Sequence, residues 1–92
     1  MPEVPLHRRF AGQARLVRLL LWRIGDSTDI DACLRVAREA SMIDGDDEAF
    51  LRECIAQEER QRDDDAAAAE TTLDVVMRLQ RCADKLNRAD SA

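Results

Sequence analysis

An all-α fold, a three- or four-helix antiparallel bundle, is predicted by three features of the 92-residue sequence. Apolar residues recur at three- and four-residue intervals. Helix formers (Ala, Leu, Arg, Glu) dominate. Only 3 Gly, 2 Pro and 3% aromatic residues remain for turns and strands. With 46% hydrophobic and 36% charged residues the chain has enough apolar side chains to offset the entropy of folding. One domain over residues 1–92 is expected, with short flexible ends at 1–5 and 88–92.

Leu6, Phe10, Ala14, Val17, Leu21 and Ile24 form one stripe, which predicts a first helix over Leu6 to Ile24. Pro5 precedes it, and Gly25 stands where a left-handed cap commonly closes a helix. Asp26-Ser27-Thr28 offers caps for a second helix, with Asp29 and Asp31 as carboxylates in its first turn. The apolar side of that helix is Ile30, Cys33, Leu34, Ala37, Ala40 and Ser41, and Gly45 is expected to end it after Ile43.

Asp46 or Asp47 then caps a third helix whose apolar face, Phe50, Leu51, Cys54 and Ile55, lasts only two turns. Beyond it Glu58, Gln61, Arg62 and Asp65 would share that face, so the seam stops while helix propensity continues. Periodicity returns with Leu73, Val76, Leu79, Ala83 and Leu86. No glycine or proline separates the third and fourth segments, which favours one long or gently kinked helix. A rod from about Asp46 to Asn87 would extend roughly 60 Å at about 1.5 Å per residue, too long for the first two helices to cover. A homodimer built on the Leu73 to Leu86 stripe is therefore expected.

The motifs exclude more than they identify. Cys33, Cys54 and Cys82 are too widely spaced for a metal knuckle and read as buried thiols in a reducing compartment, zinc binding with His7 being the alternative. Asp44-Gly45-Asp46-Asp47-Glu48 fails as a calcium loop, because the glycine position falls on Ala49 and the closing glutamate position on Ile55. The acidic run Glu58, Glu59, Asp63, Asp64, Asp65 and Glu70 lacks paired inward spacing for Mg²⁺, and Cys82 beside Arg81 shows no sign of an activated thiolate. No catalytic activity, metal or cofactor is expected.

No apolar run approaches the roughly 20 residues of a membrane span, and Arg15, Arg18 and Arg23 interrupt the only stretch that could serve as a signal peptide. A soluble cytoplasmic protein is expected. Lys85 is the only lysine among 14 basic residues, an arginine bias that suits a GC-rich bacterial genome.

Charge is unevenly placed. Residues 1–25 hold five arginines against one glutamate, net +4, and residues 26–92 hold nine cations against eighteen anions, net −9. Two uses of the basic helix follow. Its arginines can bridge to Glu58, Glu59 or Asp63 of the same or a sister chain. Alternatively, Trp22 and Leu19, opposite the main stripe and flanked by Arg8, Arg15, Arg18 and Arg23, can anchor a partner. The expected function is a non-catalytic protein-interaction module, an adaptor, chaperone-like factor or inhibitor of a larger assembly, with the acidic residues Glu58, Glu59 and Asp63 as a second surface. The alternative is a nucleic-acid-binding regulator using the basic helix, against which the net charge of −5 argues.

Overall fold

The computed structural model describes residues 5–63 and 71–91, and among them every regular element is helical. The helices are α1 (Leu6–Gly25), α2 (Ile30–Glu39), α3 (Gly45–Asp63) and α4 (Leu73–Ser91). They pack as a helical bundle.

α1 forms where its stripe predicts. Phe10, Ala14, Val17 and Leu21 are at most 2% exposed, and the Pro5 carbonyl accepts the first amide bonds, from Arg8 and Arg9. Its C-terminus differs from expectation. Asp26, not Gly25, takes the left-handed conformation, at φ 50°. Gly25 is helical and is needed for space, since a Cβ there would lie 2.5 Å from Cys33 Sγ and 2.8 Å from Cys33 Cα.

α2 starts later than its candidate caps suggest. Asp29 is the N-cap, its Oδ1 accepting from the Asp31 amide at 3.1 Å, while Ser27 Oγ accepts from Asp29 N at 3.0 Å. Cys33, Leu34 and Ala37 face the core as expected. The helix then stops at Glu39, well before Gly45. Ser41 adopts φ 61°, and the bonds Met42 N to Ala37 O and Ser41 N to Arg38 O, both 3.0 Å, form a Schellman closure with serine where glycine is usual. Ala40 and Ser41 thus lie beyond the helix and are exposed rather than on its buried face.

Gly45 opens α3 instead of closing α2. Neither Asp46 nor Asp47 is the cap. Asp44 Oδ1 accepts from Asp47 N at 2.7 Å, and Asp47 Oδ2 accepts in return from Asp44 N at 3.4 Å, a reciprocal capping box. Which aspartate caps is set by where Asp47 must point, into the core beside Cys82 and Lys85.

A continuous rod is not formed. α3 and α4 are separate helices packed on each other, and the longest dimension of the molecule is 37 Å. Asp64 and Asp65 lie outside the described residues. Thr72 begins α4, its Oγ1 accepting from Val75 N at 3.4 Å and its carbonyl from Val76 N, and Gln61 Nε2 donates to Thr71 Oγ1 at 3.2 Å across the junction. Folding back allows Val76, Leu79, Cys82, Ala83 and Leu86 to be buried within the chain. The stripe that suggested a homodimer is thereby occupied, apart from Leu73, which is exposed. At the C-terminus α4 continues to Ser91.

α1 contacts all three other helices, α4 and α2 most extensively. α2 and α3 run antiparallel, tied at their rims by Arg52 to Asp31 (2.9 Å) and Arg38 to Glu48 (3.5 Å). α3 and α4 also run antiparallel, with Asp47 beside Lys85 at one end, Arg78 over the Phe50 ring at 4.2 Å, and Gln61 against Thr71 at the other end.

Two substitutions of opposite sign test these turns by urea unfolding. Gly25→Ala is expected to destabilise by about 2 kcal/mol or more, because the clash includes Cys33 backbone and cannot be relieved by a rotamer change. Ser41→Gly is expected to stabilise by about 1 kcal/mol by removing the left-handed penalty of a Cβ.

Candidate functional site

Three helices cover α1 over most of its circumference and leave one strip open. Along that strip Gly12, Leu16, Leu19 and Arg23 follow one another at four-, three- and four-residue spacing, and all are exposed. Leu16 is 44% and Leu19 55% exposed. With Leu20, Trp22, Arg23 and Asp26 they line a shallow groove of about 550 Å³.

Leu19 therefore stands where the spacing placed it, opposite the core stripe. Trp22 sits on the flank, half-buried and packed against the core. Its indole Nε1 is enclosed without a hydrogen-bond acceptor. Unpaired buried donors of this kind cost about 1–3 kcal/mol. Trp22 is thus both core wall and groove wall, and removing it would change the fold as well as the surface. Leu19 is the cleaner probe.

The other predicted residues divide into groups. Arg15, Arg18, Glu58 and Glu59 meet in an ion cluster between α1 and α3. Arg18 Nη2 lies 2.9 Å from Glu59 Oε1 and 3.4 Å from Glu58 Oε2, and Arg15 Nε lies 3.1 Å from Glu58 Oε1. Glu58 is only 1% exposed and the Arg18 side chain 11%. The first use of the basic helix is the one seen for these four residues, within one chain. This cluster also accounts for the apolar seam of α3 stopping after Ile55: the next inward position is filled by a carboxylate matched to α1 arginines. Arg8 lies in the first turn, about 16 Å along the helix from Leu19, and is exposed. Arg23 forms the groove rim. Asp63 ends α3, and its side chain falls outside the described residues.

A second polar cluster was not legible from sequence. Asp47, 7% exposed, accepts from Lys85 Nζ at 2.9 Å and from Cys82 Sγ at 3.7 Å. Burial raises the Asp47 pKa, but the Lys85 ammonium, the Asp44 amide and the Cys82 thiol outweigh it and hold the carboxyl below its ordinary value of 3.8. The only lysine was the available hint, yet 38 residues separate the pair.

Burial holds the thiols in their protonated form. Burial pushes Cys54 up to about 12 and Cys82 up to about 11, so both are protonated at neutral pH. All three cysteines are free and buried. Among the described residues no group of three or more His, Cys, Asp or Glu side chains is placed to hold a metal, and no helix is long and apolar enough to cross a membrane. Compared with known proteins, the chain matches no family model, no curated protein and no solved structure.

Glu58→Ala is expected to destabilise by about 2 kcal/mol, since it removes a buried carboxylate shared by Arg15 and Arg18 and leaves the buried Arg18 guanidinium with Glu59 alone. Arg15→Ala, removing a side chain 60% exposed, should cost under about 1 kcal/mol. Urea unfolding of the two variants checks the ranking. For the other cluster, Asp47 has its folded pKa below its unfolded one. Its contribution is complete above 3.8 and is lost as pH falls through the folded value. Lys85→Met should therefore destabilise at pH ~7 by about 1 kcal/mol, and the gap from the wild-type protein should narrow as pH is lowered below the ordinary carboxylate range, followed by urea melts across pH.

Proposed function

We propose that the protein is a non-catalytic interaction module that captures a protein partner on the outer strip of α1. The observation that supports this reading is the pair of exposed leucines, Leu16 and Leu19, set beside Trp22 in a groove on a helix whose opposite face already supplies the core. In so small a domain, adjacent exposed leucines flanked by an aromatic ring and arginines have the composition of an interface centre. Three free buried thiols fit a reducing compartment, the cytoplasm.

Glu58 and Glu59, named with the groove from sequence, belong to the fold in this reading, together with Arg15 and Arg18. That same commitment weakens the nucleic-acid alternative, because two of the five α1 arginines already face carboxylates. An adaptor or inhibitor role is favoured over a regulator that grips phosphates.

The test is affinity capture from the source cells with wild-type protein and Leu19→Asp, bound proteins being identified by mass. Leu19→Asp should keep the wild-type melting temperature within a few degrees, since the site is exposed, while losing the partner that the wild-type protein retains. Equal retention by a folded Leu19→Asp variant would refute the reading.

A further inference from the structure

Glycine within a helix costs about 1 kcal/mol relative to alanine, and Gly12 lies well inside α1. Nothing in the fold requires it. Its φ is not positive, and a Cβ built there meets no atom within 4 Å. Gly25, by contrast, is pinned by Cys33. A missing side chain at the start of the open strip, with Leu16 and Leu19 directly beyond it, leaves room for another backbone to come close. The open surface is therefore shaped for a rod as well as apolar.

Charge then selects the rod. Arg8 and Arg9 flank Gly12, are exposed, and have no ion-pair partner among the described residues. Arg15, 60% exposed, borders the strip one turn further on. Asp26, at the far end of the groove, is the one acid among the described residues that line it. A second copy laid strip to strip would bring the same arginines and only Asp26 to meet them, so cations outnumber acids across the contact, which disfavours it. A helix with carboxylates beside its apolar stripe meets them with opposite charge.

We infer that the α1 strip takes an acidic amphipathic helix of a partner protein, with apolar side chains at three- and four-residue spacing over Leu16 and Leu19, its backbone closest at Gly12, and glutamates or aspartates reaching Arg8 and Arg9. This names the partner class for the interaction reading above and rests on it.

The experiment uses the full chain and two labelled synthetic helical peptides with one leucine stripe, flanked by glutamate in the first and by lysine in the second, followed by fluorescence anisotropy. The glutamate peptide should bind about tenfold more tightly than the lysine peptide, the effect of two or three exposed ion pairs. Arg8→Ala with Arg9→Ala should remove most of that preference. Gly12→Leu should weaken the glutamate peptide several-fold while raising the melting temperature, a combination that a merely structural role for Gly12 does not produce. Equal binding of both peptides, binding of neither, or unchanged binding by Gly12→Leu would overturn the inference. So would tighter binding of duplex DNA or of anionic phosphatidylglycerol vesicles than of the glutamate peptide. So would a concentration-dependent dimer, seen by sedimentation, that Leu19→Asp abolishes. If the cellular partner is still lost with Leu19→Asp while the peptides fail, the occupant is wrong and the interaction reading stands. If the partner is retained, that reading itself has failed.

Discussion

The buried stripe of α1 is the contact on which every other helix depends. Phe10, Val17 and Leu21 are fully enclosed, and α2, α3 and α4 each pack on this one helix. A chain of this size has too little surface to bury several independent interfaces, so one apolar helix shared by three neighbours is an economical core. The arrangement explains why α3 needs only two apolar turns: Leu51, Cys54 and Ile55 reach the centre, and Glu58 then meets α1 through charge.

That shared helix also explains the surface. A helix apolar around most of its circumference must be covered on most sides, and three neighbours leave one gap. Leu16 and Leu19 fall in the gap and so remain exposed, while Trp22 at its edge is partly covered. The groove is thus a geometric consequence of how the bundle closes, and the arginines around it come from the same segment that supplies the core. The core stripe and the exposed leucines lie on opposite faces of one twenty-residue element.

Much of this was legible in the chain. Period alone located α1 and its stripe, and the charge imbalance between the first 25 residues and the rest raised bridging of α1 arginines to Glu58, Glu59 or Asp63 as one of two uses, without saying which arginines or whether within one chain. What failed were the junctions. Aspartates at 26, 29, 44, 46 and 47 are all competent caps, and only packing decides among them: Asp29 and Asp44 cap because Cys33 and Asp47 must point inward. Gly45 reads as a stop in isolation but follows a cap, so it starts a helix. The rod reading failed because helix propensity is local, whereas the packing of α4 back against α3 is driven by burial of the α4 stripe on α1, a contact more than fifty residues distant in sequence. Lys85 and Asp47 escaped notice for the same reason.

Native-state amide hydrogen exchange tests the central role of α1 most directly. If the three other helices depend on it, the amides around Val17 to Leu21 should exchange only through global unfolding, as slowly as the best protected amides of α4. Exchange there through a lower-energy opening, with α3 and α4 still protected, would show that the bundle holds together without its central helix and would contradict the account.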